Sequence, residues 1–377
     1  MDTPQFQKKL ESIFGKPLKV AICHEWLDNI GGGEKVLVEI SSIFDDPCIF
    51  TLWGDLKVGT ELNLNYQETF MRFLPKFLRR NLGFILMPIA WISIGPKLRK
   101  FDLVITSSWA FAHICGKFNK NSLNYIHTPG RYWWNPEIDQ RSRIKIPKML
   151  LRVFRYLDCS FSKNHGQNVA NSMTTALRIR NYWKQESVVI HPPVDLNFYN
   201  FAKSSTAIPG NFILGVGRFV PYKNMEFIIR LGEFLQIPVV LAGHGPLYSN
   251  LRDQADKATV KVDIVEFPTN NDIRDYYRSA KFLIFPTVED FGIVPVEAMG
   301  CGLQVIGLDE GGLTETVKDG FSGGLVRQLS LEMFAEKINS MRSYSQEEIR
   351  NTVVHFDKYE FKKKLMTLLE SKFNAST

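Results

Sequence analysis

Two series of short apolar runs, each separated by stretches of helical pattern, constrain this chain more than any other feature. The first series is K-V-A-I-C (19–23), C-I-F-T-L (48–52), D-L-V-I-T (102–106), L-N-Y-I-H (123–127) and V-V-I-H (188–191). The second is N-F-I-L-G-V-G (211–217), I-P-V-V-L-A-G (237–243), V-K-V-D-I-V (260–265), K-F-L-I-F-P (281–286) and L-Q-V-I-G (303–307). Runs this short and this continuously apolar predict parallel strands covered on both faces by helices. The restart near residue 211 predicts an α/β chain of two doubly wound, Rossmann-like domains facing a cleft. A length of 377 residues suits two cores better than one. The domains are read as 1–200 and 201–355, with the polar segment 201–210 as linker. Residues 356–377 read as a basic, amphipathic final helix.

The net charge of +7 points to an anionic partner: a membrane surface, a phosphorylated ligand or nucleic acid. No nucleic-acid recognition motif accompanies the charge, so that partner is set aside. The five cysteines, Cys23, Cys48, Cys115, Cys159 and Cys301, form no C-x-x-C pair, which suits a reducing compartment. The first residues lack a signal-peptide pattern, and no apolar run reaches the roughly 18 residues of a spanning helix. The expected location is the cytoplasm, peripheral on the inner face of a membrane. Arg72, Lys76, Arg79, Arg80, Lys97, Arg99 and Lys100 supply the reason. These cations, with no acid among them, flank the apolar run 83–95. Basic flanks on a short apolar segment suit an anionic lipid interface. A buried helix with a solvated charged rim is the alternative.

Ligands of open parallel sheets bind beyond the carboxyl ends of the strands, and the chemistry-bearing motifs fall there. G-R-F-V-P-Y-K-N sets Arg218 and Lys223 after a strand, where two cations and a helix N-terminus suit a diphosphate. In V-E-D-F-G-I-V-P-V-E-A-M-G, Gly292 and Pro295 rule out one continuous helix and place Pro295 in a first turn. Glu289 then lies on a loop and Glu297 early in the helix. Glu297 suits a ribose diol, although a first-turn glutamate also satisfies the helix dipole. D-N-I-G-G-G-E-K follows the first strand, with a helix read from about Glu34; Gly31, Gly32 and Gly33 permit close backbone approach or simply a tight turn. N-Y-I-H-T-P-G-R-Y-W-W puts His127 at a strand end. Arg131, Tyr132, Trp133 and Trp134 follow, either as a sugar platform or as core. His24 is a second strand-end histidine. No histidine spacing and no D-x-D beside a strand suggests a metal, so no metal is expected.

Together these motifs resemble retaining glycosyltransferases of family 4, of the two-Rossmann-domain (GT-B) type. The resemblance runs from H-E-W-L…G-G-G-E-K and Y-I-H-T-P-G-R-Y to A-G-H-G-P, P-T-V-E-D-F-G-I-V-P-V-E-A-M-G-C-G and G-G-L-T-E-T-V. The H-T-P-x-R-Y phrase is similar to bacterial polysaccharide and O-antigen mannosyltransferases. The resemblance implies a nucleotide-sugar donor, first GDP-mannose, and a glycan or lipid-diphosphate-linked acceptor. It implies that Arg218 and Lys223 bind the donor diphosphate and that Glu289 contacts the sugar. Phe291, Gly292, Ile293 and Val294 would line sugar and phosphate, and Glu297 would hold the ribose. His127 would sit near the anomeric carbon, and the Gly31–Gly33 loop near the diphosphate and acceptor. The last helix would cross back onto the first domain. Gly33 and Gly300 stand where alanine is common in the family, and the Trp133-Trp134-Asn135 ending departs from its pattern, leaving the acceptor open. A UDP-sugar donor, a nucleotide-sugar epimerase and an idle carbohydrate-binding protein are the competing readings.

Overall fold

The computed structural model describes residues 3–135, 147–201 and 210–374. Most of the segment read as a linker therefore lies outside the described residues, as does the side chain of Arg80. The chain divides into two compact units: Met1–Pro193 with Tyr359–Thr377, and Val194–Lys358.

The first unit is built on strands β1 (Val20–His24), β2 (Cys48–Thr51), β3 (Tyr66–Glu68), β4 (Leu103–Ser108), β5 (Ser122–Ile126), β6 (Gln167–Ala170) and β7 (Val188–Val189). Their order is β3-β2-β1-β4-β5-β6-β7, with every pair parallel. All residues of β1, β4 and β5 are buried, and the apolar runs read at 19–23, 102–106 and 123–127 fall on them. One face packs Ile22, Ile105 and Tyr125 against Phe6, Leu10, Val36 and Ile40. Phe361, Leu365, Leu369 and Phe373 of the final helix, Lys358–Asn374, join the same core. The other face packs Ala21, Cys23 and Val104 against Trp53, Phe84, Trp91, Phe111 and Phe154.

The second unit contains β8 (Ile213–Arg218), β9 (Val239–His244), β10 (Val262–Glu266), β11 (Phe282–Phe285), β12 (Val305–Leu308) and β13 (Gly323–Val326). Its order is β10-β9-β8-β11-β12-β13, again all parallel. Strand order reverses between β1 and β4 in one unit and between β8 and β11 in the other. These are the switch points at which doubly wound sheets bind ligands.

Three strands escaped the sequence reading. β3 is Y-Q-E, β6 is Q-N-V-A and β13 opens on two glycines. None carries a continuous apolar run, and β3 and β13 lie at sheet edges. The 188–191 strand shortens to Val188–Val189, and the helix after the glycine loop starts at Gly32 rather than Glu34.

Candidate active site

In the second unit, the loops after β8 and β11 meet at the switch point and are stitched together in three places. The Asn224 amide donates to the Pro286 carbonyl at 2.6 Å, and the Thr287 hydroxyl donates to the Tyr222 carbonyl at 2.8 Å. The third stitch is an ion pair between Lys223 and Glu289. Lys223 is only 6% exposed, with its ammonium 5.5 Å from the Tyr222 ring and 5.4 Å from the Phe285 ring. A lysine buried to this degree requires an anionic partner, and Glu289 provides one. Arg218 is exposed and donates to the Tyr222 hydroxyl at 2.9 Å. Tyr222 therefore touches both predicted cations.

Glu289 is partly open, and its carbonyl accepts the Gly312 N–H at 2.8 Å. Gly292 then adopts φ +84°, a conformation that favours glycine, and opens the helix Ile293–Gly300 without a side-chain cap. Pro295 stands in the first turn as expected. Ile293 and Val294, half-buried, bring their N–H groups to this uncapped end. Phe291 is buried and packs edge-on against Phe356 at 5.3 Å, so its backbone rather than its ring is what it offers a ligand. Glu297 is the fifth residue of the helix, and no acid lies in the first turn. The dipole account of Glu297 therefore fails. Glu297 is 4% exposed, and its carboxylate accepts the Tyr277 hydroxyl at 3.3 Å. Burial first, and then the Glu297 charge, raises the Tyr277 and Tyr199 phenols, which remain protonated donors.

One feature of this unit carried no sequence signal. His244 ends β9, and its ring stacks on Phe267, just past β10, at 5.1 Å and 17°. Phe267 is 69% exposed and held at φ +54°, in the left-handed region.

At the switch point of the first unit, one serine hydroxyl links two histidines. Ser107 Oγ lies 3.0 Å from His24 Nδ1 and 2.9 Å from His127 Nε2. A hydroxyl carries one proton, so it donates to one ring and accepts from the other, which couples their tautomers. Burial, with a smaller contribution from His24, lowers His127 from its ordinary 6.5 to about 3. His127 is thus a neutral imidazole around pH 7. Beside it, Glu25 is fully buried and accepts from Ser108 Oγ (2.9 Å), Ala110 N–H (2.9 Å), Ala112 N–H (2.7 Å) and Trp91 Nε1 (3.3 Å). Burial raises its pKa even so. These contacts fix the turn after β4, where Trp109 stands.

Gly31 and Gly32 are exposed, and Gly31 N–H donates to Glu34 Oε2 at 2.9 Å. A Cβ on Gly33 would come within 2.8 Å of the Trp109 ring, so alanine would displace the indole. At Gly300 a Cβ would meet Leu196 at 2.7 Å and the Tyr199 carbonyl at 2.9 Å. Both departures from the family pattern thus have local packing causes.

Of the two readings of the aromatic run 132–134, platform or core, Trp133 takes the second. Trp133 is fully buried, stacked on Phe111 at 4.3 Å, and belongs to the core. Half-buried Tyr132 stacks on Phe84 at 6.5 Å. Trp134 donates to Asp158 at 2.7 Å and stacks on Tyr182. Arg131 is half-buried and begins the helical turn Arg131–Trp134.

The basic, apolar segment forms a helix, Lys76–Ser93. Phe84, Met87, Ala90 and Trp91 face the core, while Leu78, Ile85, Ile89 and Ile92 are exposed. Phe73 (77%) and Phe77 (71%) extend the exposed stripe. Arg72, Lys76, Lys97, Arg99 and Lys100 are exposed around it, with Arg72 3.6 Å from Glu68. Arg79 departs from the expected rim, because its guanidinium lies 5.6 Å from the Trp53 ring. Helix Lys148–Ser162 packs Phe154 on Phe84 at 5.4 Å and exposes Met149, Val153 and Tyr156. Among the described residues, no helix is long and apolar enough to cross a membrane, and no cluster of three or more His, Cys, Asp or Glu could hold a metal ion.

Two Rossmann-like parallel-sheet units are the architecture of GT-B glycosyltransferases, and residues 200–355 match the family described as glycosyl transferases group 1. An uncharacterized glycosyltransferase of Methanocaldococcus jannaschii is 33% identical over 156 residues, 41% of this chain and 44% of that protein. The D-inositol 3-phosphate glycosyltransferase of Mycobacterium leprae is 29% identical over 170 residues, 41% of this chain and 40% of that protein. The chain thus matches less than half the length of these curated relatives. Among solved structures, Anabaena HepE in complex with UDP aligns over 94% of this chain and 100% of its own, with TM-score 0.74 and 16% identity. Sucrose-phosphate synthase from Thermosynechococcus elongatus aligns over 95% and 100%, with TM-score 0.73 and 17% identity.

Proposed function

We propose that this protein is a retaining glycosyltransferase that moves a hexose from a nucleotide-sugar donor to a glycan or lipid-diphosphate-linked acceptor. The observation that carries the reading is the buried Lys223 paired with Glu289 at the switch point of a unit that matches group 1 glycosyl transferases. A cation held there with a carboxylate partner is ready to exchange that partner for a diphosphate. Arg218 supplies the second charge, and the Ile293 and Val294 N–H groups add donors. Glu289, released from Lys223, accepts from the sugar hydroxyls. Glu297, fixed by Tyr277, holds the ribose. The exposed His244–Phe267 stack offers a face to the base.

Chemistry then follows from charge. The bond from the anomeric carbon to phosphate breaks while these cations and N–H groups take up the leaving charge. No carboxylate is assigned as a covalent nucleophile. The acceptor oxygen attacks from the leaving-group face, and its proton passes to the departing phosphate oxygen, which retains configuration. No metal is assigned a role. Neutral His127 serves as a hydrogen-bonding partner for the sugar rather than as a charge.

GDP-mannose is the first donor proposed, on the resemblance to mannosyltransferases. The solved HepE complexes with UDP and UDP-glucose make a UDP-sugar the competing donor. The exposed apolar stripe of helix Lys76–Ser93 with its surrounding cations supports work at the cytoplasmic face of an anionic membrane. Thermal unfolding with GDP, UDP and ADP tests the donor reading. One nucleotide raises the midpoint of the wild-type protein and does so less for Arg218→Ala. No shift with any of the three removes the reading.

A further inference from the structure

We infer that Trp26 and Trp109, backed by Trp53, form an aromatic wall that receives a pyranose ring of the acceptor. The inference rests on reading the first unit as the acceptor-binding half of the proposed glycosyltransferase. The three residues are remote in sequence, but each follows a strand: Trp26 follows β1, Trp53 follows β2 and Trp109 follows β4. The order β2-β1-β4 brings their ends side by side at the switch point. Trp26 lies parallel to Trp53 at 5.3 Å and 1°, and Trp109 meets Trp26 at 5.2 Å and 90°. Trp53 is buried, and its indole N–H is committed to Asp28 at 2.8 Å, so it acts as the backing. Trp26 and Trp109 pack against the same core but are only half-buried, so part of each indole stays open. Indoles bury large areas where a core will take them, as Trp91, Trp133 and Trp183 do in this unit. Two left partly open at strand ends are placed for a ligand.

The surroundings fit a sugar. Trp109 lies 4.8 Å from the His24 ring and 5.4 Å from the His127 ring, so the wall adjoins the two imidazoles linked by Ser107. The exposed Asp28, Gly31 and Gly32 border it with a carboxylate and open backbone. An aromatic face for ring C–H groups beside acceptors and donors for hydroxyls is how proteins hold a pyranose. Trp109 has also displaced something. The missing side chain at Gly33 is the space its ring occupies, so the glycine and the indole form one packing unit.

Binding of methyl hexopyranosides (α-mannoside, β-glucoside, β-galactoside) separates this inference from the donor reading, because it requires no turnover. Saturation-transfer NMR on the full-length protein is expected to show ring protons of at least one glycoside. Trp26→Ala and Trp109→Ala should each weaken that binding about tenfold, the scale of one aromatic contact, while Trp109→Phe should retain most of it. Thermal unfolding with the stabilising nucleotide checks that each variant is folded and that the second unit still binds. Equal glycoside binding by wild type and folded alanine variants overturns the wall, as does no binding to wild type at tens of millimolar. Loss of nucleotide binding with glycoside binding intact overturns the donor reading alone.

Discussion

At the scale of single residues, charge decides what each group can do. Lys223 is buried and paired with Glu289, and breaking a buried pair by removing one partner typically costs about 3–5 kcal/mol. Glu289 is a quarter open, so water moderates the loss of Lys223. Glu289→Gln is accordingly expected to destabilise the second unit more than Lys223→Met, by the difference in thermal midpoint. Added nucleotide diphosphate should narrow the gap for Glu289→Gln, because phosphate replaces the lost anion. A gap that ligand leaves unchanged would count against the exchange of partners. The first unit gives a pH signature. His127 is held at about 3 in the fold against an ordinary 6.5, so between these values only the unfolded chain binds the proton. Its stability contribution is complete above pH 6.5 and is lost as pH falls toward 3. The Asp158–His113 pair, 3.5 Å apart, behaves differently. Burial pushes Asp158 up to about 7 and His113 down to about 3. Between about pH 4 and 6.5 the folded pair holds its one proton on Asp158 and the unfolded pair holds one on His113, so their slopes cancel. Through His127, stability against urea should fall on acidification by up to about 1.4 kcal/mol per pH unit; burial raises Glu25, which offsets this wherever only the folded chain protonates it, and His127→Gln should remove the His127 part of the slope. All seven tryptophans precede Pro193, so their fluorescence reports this unit alone.

At the scale of elements, the sequence was legible where burial on both faces leaves a mostly apolar run, as in β1, the first half of β4, the start of β8 and all of β11. It was illegible where a strand sits at an edge or carries polar side chains, as in β3 and β6; Asn168 of β6 is buried because Asn124 bonds to it at 3.1 Å. Site residues followed the same logic. Arg218, Lys223, Glu289 and His127 stood out because each lies at, or within five residues of, the end of a readable strand. The tryptophan wall did not, since only the sheet order gathers residues 26, 53 and 109. Conversely, Tyr132 and Trp133 stood together in sequence and proved to pack inward. Helix Lys76–Ser93 lay between the two expected outcomes, because one face is core and the other is bare. That bare face yields a prediction about the element. Ile85→Glu with Ile89→Glu changes only exposed positions, so the fold should persist while binding to vesicles containing anionic phosphatidylglycerol falls at least about tenfold. Charge reversal at Lys97, Arg99 and Lys100 should weaken it further at low salt and matter less at high salt. Sedimentation with such vesicles measures both. Unchanged binding by the Ile85→Glu, Ile89→Glu protein would remove the membrane reading.

At the scale of the whole molecule, the chain closes its first unit with its last helix. Residues 359–377 are separated from that unit in sequence by the entire second unit, yet Phe361, Leu365, Leu369 and Phe373 lie in its main core. Their spacing of four residues keeps one stripe inward, while Lys362 pairs with Glu39 at 2.8 Å and Lys9 with Glu370 at 2.7 Å to fix the helix beside elements from the start of the chain. The first unit is consequently incomplete until the second has been synthesised, which makes the final helix its stability determinant. Leu369 is fully buried, and truncating such a leucine costs about 2–5 kcal/mol. Lys364, on the exposed side of the same helix, is the control. Leu369→Ala should move the tryptophan-detected urea midpoint sharply down, and Lys364→Ala should hold it within about 0.5 kcal/mol. Nucleotide binding by the second unit, measured at a urea concentration below both transitions, should be unaltered in either variant. A Leu369→Ala protein whose tryptophan midpoint matches wild type would mean that the helix only rests on a core complete without it.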